Sequence, residues 1–329
     1  MNTHQSFVSP GADSVKERLR QGVRAGLRKG WKNFLWMTRI LVPVSLAVAL
    51  LVWSGWLYKL NFILEPAMRL INLPSEAAFP ILNGIFINVY AVIAILAVVP
   101  FSPAQMTMIA VFSLIAHAII SEAIIQHKSG MNGMKMALIR LVAAVATVLV
   151  ISFFLGDTTT SVASTTVAKA QEPFLRMLSG WALDTGLMLL KIFGIIMAIM
   201  VLLECLAWLG WDVYLYRFFR PFMKLLGLSD RTSVLWVTAV IFGLTYGSAV
   251  ILEKSRQGAL TRSELERLHI SIGINHSMVE DPALYMALGL NAFWLIVPKL
   301  LMAMLAVQLY RLVGFFRGRG GTKSGVRMA

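Results

Sequence analysis

Apolar residues run along the chain in blocks separated by short polar stretches. The clearest blocks are Ile40 to Leu57, Pro80 to Phe101, Met136 to Leu155, Leu187 to Trp211, Val234 to Leu252 and Ala292 to Val313. Each is near the ~20 residues that a helix needs to cross a hydrocarbon core of roughly 30 Å. Two further blocks, Ala104 to Gln126 and Glu264 to Met286, carry ionisable groups in their apolar parts. They are expected either to span or to fold back. Ahead of all of these, Val15, Leu19, Val23, Leu27 and Trp31 recur every four residues among Lys16, Arg18, Arg20, Arg24, Arg28 and Lys29. That spacing predicts a basic amphipathic helix over residues 1–36 lying on anionic headgroups, with a partner-binding helix or a nucleic-acid tail as the alternatives.

The polar positions show that the pattern is used twice. At an offset of 155, Trp53, Gly55 and Trp56 meet Trp208, Gly210 and Trp211, and Pro66 and Met68 meet Pro221 and Met223. At an offset of 159, His117 meets His276, Glu122 meets Asp281, Gly130 meets Gly289, Asn132 meets Asn291 and Arg140 meets Lys299. Ser102 and Gln105 match Thr261 and Glu264, and both pairs have the spacing of a box that caps a helix start. The expected organisation is a first membrane repeat over 37–156, an external polar linker over 157–180, a second repeat over 181–313 and a basic tail over 314–329.

Composition agrees with lipid as the main solvent, since 58% of the 329 residues are apolar and 14% charged. The net charge of +14 sits at the chain ends and in short loops, which points to headgroups and away from nucleic acid. Lys and Arg collect in cytoplasmic loops. The basic N-terminus and the tail from Arg311 to Arg327 are therefore expected on the same, cytoplasmic side. The stretch Arg217 to Arg231 is basic while its counterpart Lys59 to Glu76 is balanced, so the two copies are expected to be inverted. The fold class that follows is all-α, polytopic, with two tandem inverted-topology repeats and broken or re-entrant helices. One cysteine, Cys205, excludes an internal disulfide.

Ionisable side chains at membrane depth are costly and persist where they face a cavity, a partner or a solute path. His117 with Glu122, and His276 with Glu280 and Asp281, are the candidates. Each acid lies about one helical turn from its imidazole. Imidazole with carboxylate suits Zn, Fe(II), Ni or Mn, and the same groups relay protons. The alternative is that each pair satisfies only itself, or lies near headgroups. Pro282, Asn275 and Gly273 weaken the second His-bearing helix around Asp281, and alanine replaces Pro282 in the first copy, so the break is expected on one side. Asn132 and Asn291 either hold solute or cap. Asn83, Asn88, Thr245, Tyr246 and Ser248 either line the same cavity or lie in close packing around Gly84 and Gly243. Arg140 and Lys299 are expected to snorkel, and Glu204 to snorkel or pair locally. No nucleophile-and-base set and no phosphate loop appears, so an enzyme is not expected.

With Gly84 and Gly243, Asn132 and Asn291, and the run from Asn275 to Asp281, residues 40–312 resemble the gate, or nucleoside-recognition, family. That family includes the membrane domain of ferrous-iron transporter B, concentrative nucleoside transporters, and spore maturation proteins A and B. The resemblance implies a bacterial inner-membrane permease whose solute site draws on His117, Glu122, Asn132, Asn275, His276, Glu280, Asp281 and Asn291. A divalent metal as substrate is the first expectation, held by His117, Glu122, His276, Glu280 and Asp281. A nucleoside-like solute moved with H⁺ or Na⁺ is the second, and a non-transporting assembly factor acting with a membrane partner or as a homo-oligomer is the third. The iron transporters carry a GTPase and a gate-motif cysteine, and this chain matches neither.

Overall fold

A computed structural model describes residues 12–56, 61–156, 159, 173–242, 251 and 260–320. Every regular element among them is a helix. In chain order these are α1 (Ala12–Trp53), α2 (Asn61–Arg69), a 3-10 turn (Ser75–Ala77), α3 (Ala78–Phe86), α4 (Val89–Leu96), α5 (Pro103–Ala116), α6 (Ile119–Lys128) and α7 (Gly133–Leu155). After the linker come α8 (Phe174–Leu209), α9 (Asp212–Leu225), α10 (Asp230–Phe242), α11 (Arg262–Asn275), α12 (Glu280–Met286) and α13 (Ala292–Gly320). Among the described residues, five stretches are long and apolar enough to cross a bilayer: Val15–Trp53, Pro103–Lys128, Gly133–Leu155, Phe174–Leu209 and Ala292–Gly314. The residues from Gly243 to Val250, with Thr245, Tyr246 and Ser248, and most of the linker, lie outside the described residues.

The longest contact is an antiparallel hairpin of α1 and α8. α1 runs unbroken for 42 residues, about 63 Å at 1.5 Å per residue. Three glycines four residues apart make the approach. A Cβ on Gly22 would stand 2.8 Å from the Cys205 Cα, one on Gly26 would stand 2.4 Å from the Val201 Cα, and one on Gly30 would stand 2.6 Å from the Met197 Sδ. Small residues at this spacing let helix backbones close in within a membrane. Further along, Phe34 stacks edge-on against Phe193, the Trp181 indole donates to Ser45 Oγ at 3.1 Å, and Trp53 meets Phe174. Glu204 pairs with Lys29 across the hairpin, which corrects the expectation of a snorkelling or local partner.

The expected boundary at residue 36 therefore falls inside α1. The basic segment is the first half of a long helix and packs on α8 through its glycine face. The stripe Val15, Leu19, Val23, Leu27 and Trp31 stays exposed on the flank of this contact, where Trp31 lies edge-on to Phe193 of α8.

The two ionisable blocks fold as broken helices. α5 opens with a capping box in which the Ser102 hydroxyl accepts from the Gln105 amide and the Gln105 side chain accepts from the Ser102 amide. α11 opens with the same box from Thr261 and Glu264. Each helix stops at its histidine. His117 and His276 turn extended, with ψ of 158° and 161°, and the next residues, Ala118 and Ser277, take φ of 47° and 51°. After the break α6 and α12 resume. α7 packs along both α5 and α6, so the first block continues past its break beside one helix. The break in the second copy lies before Pro282, which sits in the first turn of α12, a position that tolerates proline. Both copies break, against the expectation of a one-sided break.

One end of the molecule gathers the basic loops. Lys135 and Arg262 face Glu266, Arg267 donates to the Gly227 carbonyl, and Gln308 donates to the Leu225 carbonyl. Tyr310 also binds Glu266, and Ser229 donates to Glu264 at 2.7 Å.

Candidate functional site: two imidazoles at the meeting point of two broken helices

α5 and α11 end facing one another in the buried centre. The partial negative charge of a helix C-terminus and the partial positive charge of an N-terminus are worth most within one turn. At each break this chain supplies the matching ions. Arg140 of α7 donates from Nε to the Ile115 carbonyl at 2.9 Å and from Nη2 to the His117 carbonyl at 2.8 Å. Lys299 of α13 donates to the His276 carbonyl at 3.0 Å. On the other side of each break, Glu122 lies in the first turn of α6, and Asp281 in the first turn of α12. Arg140 Nη1 stands 2.5 Å from Glu122 Oε2. The expectation that Arg140 and Lys299 snorkel is thus corrected, because both are fully buried and satisfy carbonyls freed by the breaks.

The imidazoles have no such structural task at their outer nitrogens. His117 Nδ1 lies 2.9 Å from the Ser113 carbonyl and His276 Nδ1 lies 3.1 Å from the Ile272 carbonyl. A carbonyl only accepts, so each Nδ1 carries the proton and each neutral ring presents a bare lone pair at Nε2. Those two lone pairs meet at 3.3 Å. Glu122 Oε1 completes the arrangement, 3.2 Å from His117 Nε2 and 3.1 Å from His276 Nε2. With both rings neutral, these three atoms form a triangle of acceptors with no donor among them. Asp281 Oδ2 lies 3.8 Å from His117 Nε2, and the ligating atoms of His117, His276 and Asp281 all lie within 4.8 Å of one another.

Other expected site residues go elsewhere. Glu280 turns away from the triangle, its Oε1 lying 3.3 Å from the Tyr90 hydroxyl and 3.4 Å from Asn33 Nδ2. Asn132 accepts from the Lys135 amide and Asn291 from the Phe293 amide, so both act as helix caps rather than as solute ligands. Asn88 caps α4, and Asn83 donates to the Phe79 carbonyl. Gly84 serves close packing: its carbonyl accepts from Ala118 N at 2.8 Å, and a Cβ there would stand 2.9 Å from Val92. Asn275 is fully buried one residue before His276, and neither amide atom has a partner among the described residues.

A relative shares most of this chain. The uncharacterized membrane protein YvoD of Bacillus subtilis (strain 168) is 30% identical over 290 residues, which is 85% of this chain and 91% of YvoD. The chain belongs to the YvoD family. No family model and no solved structure matches it. With five apolar candidate spans among the described residues, this YvoD-family protein is an all-helical, multi-pass membrane protein in contact with the bilayer.

Sequence reasoning passed over one member of the buried polar set. His269 of α11 is completely buried, and neither ring nitrogen has a partner among the described residues. The signal was present, an imidazole between Leu268 and Ile270 in a membrane block, but it had no counterpart in the first copy.

Proposed function

We propose that this protein is a bacterial inner-membrane permease of the gate type, and that its buried triangle binds a divalent transition metal as the transported substrate. The observation that carries the reading is the donor-free contact of His117, His276 and Glu122. Two lone pairs and a carboxylate oxygen within about 3 Å repel unless a cation stands among them. A tetrahedral site with bonds of about 2.0–2.1 Å has neighbouring ligand atoms about 3.3 Å apart. The contacts here are 3.1, 3.2 and 3.3 Å, with Asp281 Oδ2 as a fourth ligand atom 3.8 Å from His117 Nε2. Imidazole with carboxylate favours Zn, Mn, Fe(II) or Ni over Ca or Mg.

Two facing helix C-termini add to the attraction for a cation, as at the unwound helices of transporters built from inverted repeats. Arg140 and Lys299 oppose it. A transported ion must leave as well as arrive, and neighbouring fixed cations keep such a site from becoming a trap. A nucleoside-like solute is less well served, because rings with centroids 4.9 Å apart leave room for an ion but not for an organic molecule.

Support for inverted repeats within this reading comes from equivalences at the 159-residue offset. The capping boxes, the histidine C-caps, the left-handed residues Ala118 and Ser277, and the carbonyl-capping cations Arg140 and Lys299 all correspond. The gathering of Lys135, Arg262, Arg267 and Arg311 at one end favours that end, and both termini, on the cytoplasmic side.

Radiolabelled Mn²⁺ or Zn²⁺ uptake into proteoliposomes tests the proposal, with His117→Ala and His276→Ala as controls. Uptake that depends on both imidazoles is expected, and wild-type vesicles no leakier than empty ones sink it. The exposed stripe on α1 favours a second reading, an assembly factor that docks a membrane partner. It predicts full cellular function in the double histidine variant and loss of function on deleting residues 1–32.

A further inference from the structure

Around α11 buried polar groups without a partner among the described residues extend beyond the triangle toward the start of the helix. His269, Gly273 and His276 share one face, at the i, i+4, i+7 spacing of a helix. Gln126 of α6 lies over this face: its Nε2 is 3.4 Å from the His269 carbonyl, and a Cβ on Gly273 would stand 3.1 Å from the same nitrogen and 3.5 Å from the Arg140 side chain. Glycine is thus what leaves room there. Three atoms on this track have no partner among the described residues, Nδ1 and Nε2 of His269 and Oε1 of Gln126; the two amide atoms of Asn275, also without a partner among them, lie on a different face of α11. All three residues are fully buried. Polar atoms in such numbers are seldom left dry, and ordered water is the usual partner.

The track points to the basic end. Glu266, three residues before His269, holds Lys135, Arg262 and Tyr310 near the surface. His269 lies about 12 Å along the helix from the Thr261 cap and about 10 Å from His276, at 1.5 Å per residue. The residues that correspond to His269 and Asn275 in the first copy are Ala110 and Ala116, both fully buried in α5 among Met108, Ile109 and Leu114. The residue corresponding to Gln126 is Tyr285, whose hydroxyl is satisfied by Ser113 Oγ at 2.9 Å. The polar lining is therefore one-sided.

We infer that a hydrated path for small cations runs along α11 from Glu266 past His269 and Gln126 to the imidazole pair, and that no equivalent path runs along α5. It rests on the permease reading for its cargo, but its test does not. Single cysteines at His269, Gln126 and, as a control, Ala110 are placed on a Cys205→Ala background in right-side-out and inverted vesicles. A small cationic thiol reagent is then applied from each side. His269→Cys is expected to react from the basic-loop side at least about tenfold faster than Ala110→Cys, since a thiol in dry packing is inert. Equal rates at the two positions overturn the path, as does faster reaction of Ala110→Cys. If His269→Cys does not fold, Gln126→Cys carries the same expectation.

A kinetic arm separates path from site. His269→Leu is expected to slow both association and dissociation of Zn²⁺ with Kd unchanged. A changed Kd that comes from faster dissociation with association unchanged makes His269 a ligand and overturns its role on the path. Absence of Zn²⁺ binding by the wild-type protein counts against the permease reading alone, because the labelling pattern still decides the path.

Discussion

His117 and His276, 159 positions apart in the chain, meet Nε2 to Nε2 at 3.3 Å in the buried centre of the molecule. Loss of either ring removes half of the nitrogen pair. His117→Ala and His276→Ala are each expected to weaken Zn²⁺ or Mn²⁺ binding by more than the ~10–100-fold that loss of an outer-sphere partner costs. Because the two act as one unit, the double variant is expected to be little worse than either single one. Calorimetry on the purified protein reads this directly, and additive losses contradict a shared site.

Arg140 has a structural duty that is separable from binding. Arg140→Met strips two carbonyls of their donor and leaves Glu122 as a buried, unpaired carboxylate. Breaking a buried pair from one side costs about 3–5 kcal/mol. Thermal unfolding in detergent is expected to register a loss of that size, and Arg140→Met with Glu122→Gln to recover part of it. No recovery would mean that the carbonyl caps, not the ion pair, carry the stability.

The glycines of the long hairpin divide into two kinds. A Cβ at Gly26 would stand 2.4 Å from the Val201 backbone, whereas one at Gly194 meets nothing within 4 Å. Gly26→Ala is expected to destabilise by about 1–3 kcal/mol through overpacking. Gly194→Ala is expected to be neutral or to stabilise by up to about 1 kcal/mol through helix propensity. Melting temperatures that move alike in the two variants refute the close approach of α1 and α8.

At the breaks, Ala118 and Ser277 hold left-handed backbone without being glycine. Such a conformation costs an L-residue roughly 1–2 kcal/mol. Ala118→Gly and Ser277→Gly are therefore expected to raise the melting temperature or leave it unchanged despite the added freedom of the unfolded chain. A clear fall at both sites would show that the breaks are not strained.

The central cluster was legible in the sequence because costly residues at membrane depth recurred at one offset. His117, Glu122, His276 and Asp281 were all found in this way, and the capping boxes marked where their helices begin. What the pattern did not reveal is which way each side chain turns. Asn132 and Asn291 recur as faithfully as the histidines, yet recurrence reflects a repeated helix start there. Glu280 and Asp281 are neighbours, and only the position of the break decides which of them faces the triangle. On α1 the four-residue apolar rhythm of Val15 to Trp31 masked a second four-residue rhythm, Gly22, Gly26 and Gly30, and the glycines proved to be the packing face. Arg140 and Lys299 read as snorkelling because a break frees carbonyls that only coordinates reveal.

Each broken helix contributes one ring to the pair, so the triangle is a hasp with one leaf on α5 and the other on α11. A tilt of either helix by an ångström or two separates the rings and undoes the binding geometry. An ion held there would clamp the two leaves together, and parting them would release it.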